Sequence, residues 1–110
     1  MSKRSLPSAA PGVAEVRFSP KARADLAEID DYSTDTFGDE VAASYARGFN
    51  DIWDRLERHP EFGATQPMLG RKVRSIPHRS HRIFYEIDRE VVLVLRIFHH
   101  ARDVKRSLLK

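Results

Sequence analysis

The stretch RIFHHARDVKR, Arg96 to Arg106, puts two adjacent imidazoles, guanidinium groups and a carboxylate directly after an apolar run. Histidine titrates near neutrality, so His99 or His100 has the right side chain for proton transfer. Three readings compete: an active site, a metal site, or the charged end of a buried strand. In a strand, neighbouring side chains point to opposite faces, which predicts that His99 and His100 do not act as a pair. His99 would then share the register of Leu93, Leu95 and Ile97, and His100 that of Arg96 and Phe98. A histidine in such a place more often bonds a backbone group than ligates anything. His78 and His81 are spaced three apart but lie in a proline-led turn, HRSH. With no cysteine in the chain and a tetrahedral ligand set needed for zinc, no metal site and no cofactor is expected. Asp25, Glu28, Asp30, Asp31 and Asp35 form a carboxylate-rich run that is conceivable as a paired acid/base site. The simpler reading is the solvated outer face of a helix, with its early acids favoured by the helix dipole. No glycine-rich phosphate loop, nucleophile elbow or dinucleotide fingerprint is present.

The elements that must position these groups fit within one domain. The chain has 110 residues, a normal domain size, and needs no staples to hold a core. The absence of cysteine excludes disulfides and thiolate chemistry and is compatible with a reducing, cytoplasmic setting. The longest apolar run, Val91 to Leu95, is far short of a membrane span. Residues 1–12 begin with base, lack an apolar h-region, and read as a flexible tail rather than a signal peptide. A net charge of +3 hides an asymmetry. From Asp25 to Glu61 there are eleven acids and three bases, and from Phe62 to Lys110 eleven bases and four acids. Two oppositely charged solvated faces account for this, and so does a basic surface that meets an anionic partner.

From residue 13 onward, Val13, Val16 and Phe18 alternate with Glu15 and Arg17, which suits a short strand. Ser19-Pro20 is a helix start, serine as cap and proline in the first turn. Ala22, Leu26, Ile29 and Ser33 then share one face, with Lys21, Arg23, Asp25, Glu28 and Asp30 expected in water. Gly38 is expected to end this helix in the left-handed conformation, and Asp39 to cap the next one. That second helix carries a regular stripe, Ala42, Tyr45, Phe49, Ile52 and Leu56, widened by Trp53. His59-Pro60 stops it. A loop of residues 61–70 leads to three expected strands at 71–76, 82–87 and 91–98, joined by short links and so forming an antiparallel meander. The last strand is apolar throughout and reads as central. A short helix is expected after Ala101, with Asp103 in its first turn. The helical hairpin must bury its stripe on the sheet. The expected class is therefore α+β, two layers, in the order β-α-α-β-β-β with a short C-terminal helix.

Four pieces of sequence, taken in order, resemble the ParE/RelE toxin superfamily of type II toxin–antitoxin and plasmid-stabilisation modules. VRFSPKARADLAEIDDY resembles its opening strand and first helix, and YARGFNDIWDRLERHPEFG its second helix and exit. VRSIPHRSHRIFYEID is similar to its basic strand leading into an Arg-Ile-x-Tyr strand. VVLVLRIFHHARD is similar to the last strand of the ParE branch. The resemblance covers about residues 13–108. It implies a cytoplasmic toxin that causes growth arrest and is neutralised by a neighbouring antitoxin. That antitoxin is expected to be ParD-like, with an acidic tail and a ribbon-helix-helix part, so that DNA is met only through it and no membrane is involved.

In the ParE branch the implied target is DNA gyrase, which is inhibited without catalysis. In the RelE branch the implied activity is metal-free cleavage of ribosome-bound mRNA, which needs an acid or base and clustered cations at one phosphate. The matching positions for that chemistry are Arg74, Arg82 and His99, with Arg71 or Lys72 as a further cation. RelE-type chains commonly carry a late tyrosine, and this chain has none after Tyr85. The ParE branch is therefore favoured. Its target-facing candidates are Arg71, Lys72, Arg74, Arg82, Arg96, His99 and Arg102. Arg74 and Arg82 are equally readable as solvated sheet arginines, Arg82 pairing with Glu86. Trp53, offset from the main stripe, is the candidate for antitoxin contact. A third reading keeps the toxin fold for partner binding alone.

Overall fold

The computed structural model describes residues 13–110, so the expected tail at 1–12 lies outside the described residues. Along the chain run β1 (Glu15–Phe18), α1 (Pro20–Phe37), α2 (Asp39–Arg58), β2 (Ala64–Thr65), β3 (Val73–His78), β4 (His81–Asp88) and β5 (Val91–His99). Short 3-10 turns lie at Pro60–Phe62 and Arg106–Leu109. The strands form one sheet in the order β1-β5-β4-β3-β2. β3, β4 and β5 are the expected antiparallel meander, whereas β1 joins β5 in parallel, so the sheet is mixed. Both hairpins of the meander have two-residue loops, with Arg79 and Arg89 at positive φ.

The helix boundaries follow local chemistry. Ser19 accepts the Ala22 N–H at 3.0 Å and Pro20 fills the first turn. Gly38 has φ 91° and ψ 171°, a backbone region open almost only to glycine. The ψ is extended, not left-handed helical as expected. The chain thus reverses in one residue, and Asp39 is the first residue of α2 rather than its cap. There it still favours the positive end of the helix. β2, missed in the sequence, is two residues long and pairs only with Arg74 and Ser75. Val73 accepts the Gln66 N–H on the β2 side. Pro77, of the same parity, therefore turns its missing donor toward the free edge, where no ladder bond is lost.

The core lies mainly between the helices and the sheet. Ala22, Tyr45, Phe49, Trp53 and Leu56 pack on Val16, Ile76, Ile83, Tyr85, Val92, Val94 and Ile97. Removing each aliphatic side chain from water contributes about 1.5–3 kcal/mol. Ile52, expected in the stripe, is only partly buried, and Trp53 takes the deeper place. A second cluster occupies the opposite face of the sheet. Val73, Phe84 and Phe98 are covered there by Leu109, with Leu69, Val104 and Leu108 at its margin. The C-terminal segment crosses this face as an extended chain that ends in the 3-10 turn. The expected short closing helix forms as the 3-10 turn Arg106–Leu109 rather than directly after Ala101, so Asp103 lies in the loop before it, 3.9 Å from Lys105.

β5 contains the irregularity that organises the rest. Its register against β4 slips at Phe84/Tyr85: Tyr85 faces Val94 and Phe84 faces Arg96, which leaves Leu95 as an extra residue. The bulge turns both Leu95 and Arg96 to the face away from the helices and returns Ile97 to the helix side. His99 therefore shares a face with Ile97 but not with Leu95, correcting the expected register. β1 pairs with β5 only as far as Val94. Beyond that point α1 completes the edge. Ser19 Oγ donates to the Leu95 carbonyl at 2.7 Å, and the Ile97 N–H donates to an Asp25 carboxylate oxygen at 2.9 Å. Arg96 donates to both Asp25 oxygens, at 2.8 and 2.9 Å, and to the Leu108 carbonyl at 3.2 Å. Asp25 is thus a buried clamp and not, as expected, a water-facing acid. Its carboxylate raises the Arg96 pKa further, against the opposing pull of burial.

Truncating one partner of a buried pair strands the other. Asp25→Ala is therefore expected to lose about 3 kcal/mol of unfolding free energy in urea. Removal of the exposed Asp103 contact should leave the urea midpoint unchanged.

Candidate functional site

Three surfaces carry chemistry. The first is a groove of about 820 Å³ between α1 and α2. Leu26 and Ile29 form one wall, Tyr45, Phe49 and Trp53 the other, and Arg23, Asp30, Asn50 and Glu57 the polar rim. Trp53 is 4% exposed. Its ring meets Phe18 edge-on at 4.9 Å and stacks on Phe49 at 5.8 Å. It is therefore part of the groove wall and the core together, not an exposed leak beside the stripe. Around the hairpin tip, Tyr32, Phe37 and Val41 are exposed.

The second surface is an imidazole cluster at the end of the sheet. The His81 Nδ1 and the Tyr45 hydroxyl are 2.6 Å apart, with Ser80 Oγ 3.2 Å from the same hydroxyl. His78 lies against Tyr45 and Phe49 at ring separations of 4.8 and 4.5 Å. It fits because α2 carries glycine at position 48, where a Cβ would overlap the imidazole. That close approach accounts for a glycine in mid-helix, otherwise a cost of roughly 1 kcal/mol against alanine. Burial is the main cause lowering the pKa of both His78 and His81; neighbouring positive charge, Arg79 for the first and the other histidines for the second, adds to it. The backbone carbonyl of Tyr45 partly offsets this at His78. His99 and His100 do form a pair: their rings stack at 4.6 Å and 26°. The strand ends at His99, so the alternation that would have separated them stops there. His99 Nδ1 accepts the Ala101 N–H at 3.2 Å, the backbone role expected of it. Among the described residues no group of three or more histidines or acids is placed to hold a metal ion.

The third surface is a hollow of about 300 Å³ beside the ends of β4 and β5, where Arg82, His99, His100 and Arg102 meet Gln66 and Met68. Arg82 does not pair with Glu86. The sequence candidates divide as follows. Arg82, His99 and Arg102 come together. Arg74 does not join them. It stands opposite the core residue Tyr85, whereas Arg82 stands opposite Phe98, on the other face of the sheet. Arg74 is held by the Glu61 and Gly63 carbonyls at 3.1 and 2.8 Å. Arg96 is held in the Asp25 clamp. Arg71 and Lys72 are exposed just before β3. Gln66 and Met68 escaped the sequence reading, because an irregular loop has no periodicity to show which way it folds.

The fold matches a chain of the chromosomal ParDE toxin–antitoxin system from P. aeruginosa with a TM-score of 0.68 at 21% identity, over 80% of this chain and 97% of that one. It matches a chain of the RelBE2 toxin–antitoxin complex from Mycobacterium tuberculosis with a TM-score of 0.58 at 23% identity, over 84% and 98%. The family model of the ParE toxin of the type II toxin–antitoxin system parDE matches residues 16–104. Toxin ParE1 of Caulobacter vibrioides is 32% identical over 84% of this chain and 95% of that protein. Toxin ParE1 of Mycobacterium tuberculosis is 33% identical over 83% and 94%. The chain belongs to the ParE toxin family.

The imidazole cluster sets a pH dependence of stability. A histidine whose native pKa is depressed binds fewer protons folded than unfolded, so it costs nothing above the ordinary value of 6.5 and destabilises progressively below it. The urea midpoint is expected to fall as pH drops below 6.5. His81→Asn, which keeps a polar atom near the Nδ1 position, should flatten that fall. An equally steep fall in the variant would show that His81 is not a source of it.

Proposed function

We propose that this toxin arrests growth by inhibiting DNA gyrase through protein contacts, without catalysis. Its cytoplasmic counterpart is a ParD-like antitoxin with a ribbon-helix-helix part. Membership of the ParE family supports the target. The observation that supports the non-catalytic reading is the split of the expected nuclease set: Arg74 and Arg82 lie on opposite faces of the sheet, and Arg74 does not line the hollow where Arg82 and His99 meet. The exposed cations left for a target are Arg82 and Arg102, with His99 at the same end, and Arg71 and Lys72 at the start of β3. Among the described residues no helix is long and apolar enough to cross a membrane.

The antitoxin contact is assigned to the α1–α2 groove. An apolar cleft with a mixed polar rim suits an amphipathic helix laid lengthwise, and Trp53 and Phe49 supply the aromatic wall on which such contacts concentrate.

Purified toxin should block gyrase supercoiling and leave ribosome-bound mRNA intact. Full supercoiling at saturating toxin sinks the proposal. Cleavage of mRNA that disappears in Arg82→Ala or His99→Ala would replace it with a nuclease. For the groove, Ala46→Arg is the informative substitution, because Ala46 is exposed and lines the cleft. It should weaken antitoxin binding by about tenfold or more while gyrase inhibition persists. Undiminished binding would move the antitoxin elsewhere.

A further inference from the structure

The hollow at the ends of β4 and β5 has a composition unlike the rest of the surface. Arg82 comes from β4, His99 from the end of β5, His100 and Arg102 from the segment after it and Gln66 from the loop after β2. No acid lines it. Arg82 and Arg102 make no ion pair among the described residues, in contrast to Arg96, which Asp25 neutralises. The Arg102 guanidinium lies 5.0 Å over the Phe98 ring. Such stacking orients the plane of the group and leaves its N–H donors free. At about 300 Å³ the hollow is at the small end of ligand sites. Converging donors without a counter-ion repel one another when the site is empty, and an anion relieves that.

We propose that this hollow binds the terminal phosphate of a nucleotide. Two guanidinium forks from different walls suit a group with three exposed oxygens better than a carboxylate with two. Gln66, whose Nε2 donates one hydrogen to Ser75 Oγ at 2.8 Å, has a second amide hydrogen to offer. The stacked rings of His99 and His100 form a flat aromatic face at the rim, which accepts a base by stacking without selecting its identity. Met68, 86% exposed beside them, offers the base a second, adaptable surface. The inference concerns the free toxin and holds or fails apart from the gyrase reading.

The test titrates the full-length, 15N-labelled protein with adenosine 5′-monophosphate, adenosine and inorganic phosphate. Saturable shifts are expected with the nucleotide at 66–69, 82–84 and 99–104. Adenosine should bind at least about tenfold more weakly, as should the nucleotide to Arg82→Ala and to Arg102→Ala. Both arginines are exposed, so each variant should melt like the parent. Should one fail to fold, the other decides. Arg71→Ala should bind normally. Shifts that never saturate, that spread equally to Arg71, Lys72 and Arg89, or that survive both substitutions would overturn the proposal. So would adenosine binding as tightly as its phosphate. Oligonucleotides with and without a 5′-phosphate separate the sources. Preference for the phosphorylated strand over the mononucleotide assigns a nucleic-acid end, and preference for the mononucleotide assigns a free nucleotide. Equal affinity for both strands would contradict a terminal-phosphate site.

Discussion

One carboxylate, Asp25, connects every layer of this protein. β5 is longer than its neighbour β1, so its outer edge from Leu95 to His99 would present unpaired backbone groups. An open edge is both a loss of hydrogen bonding and an invitation to aggregate. Here the edge is closed by a helix. Asp25 accepts the Ile97 N–H that a further strand would have taken. Its charge is balanced by Arg96, which reaches it from the far face and also holds the Leu108 carbonyl. The first helix, the central strand and the C-terminal segment therefore meet at a single side chain. The bulge makes this possible, because without Leu95 as an extra residue Arg96 would point into the core.

The same bulge shows where the sequence was readable and where it was not. Helix α1 was legible to the residue at its start, because Ser19 and Pro20 act through local geometry alone. The α2 stripe and the meander followed from periodicity and short links. The run Val91 to Leu95 was legible as a central strand but not in its phase, since an uninterrupted apolar stretch has no alternation to betray an inserted residue. Asp25 looked like one more acid on an acidic helix. Its partners lie about seventy residues away, and spacing within the helix says nothing about them. Alternation separates His99 and His100 only where a strand continues, and this one stops at His99. Trp53 looks offset from the stripe, yet its four-residue step from Phe49 puts it on the buried side.

The candidate surfaces are distributed so that they need not compete. The apolar groove lies between the two helices, and Arg82 and Arg102 meet at the ends of β4 and β5. Between them stands the imidazole cluster around Tyr45, whose His81 faces His99 at 5.7 Å. The far face of the sheet is not the open basic platform that the charge count suggested. Val104, Leu108 and Leu109 cover its centre, and the arginines surround that cover. Tyr45 belongs to the groove wall and the imidazole cluster alike.

The glycine in the middle of α2 has a meaning beyond this molecule. Position 48 and position 78 are two halves of one fitting, one leaving out a side chain so that the other can place an imidazole on the helix. Neither half has reason to change alone. A chain of this fold with alanine at the first position should carry a small residue at the second, and a chain with an aromatic ring at the second should keep glycine at the first. The two positions are therefore expected to change together or not at all.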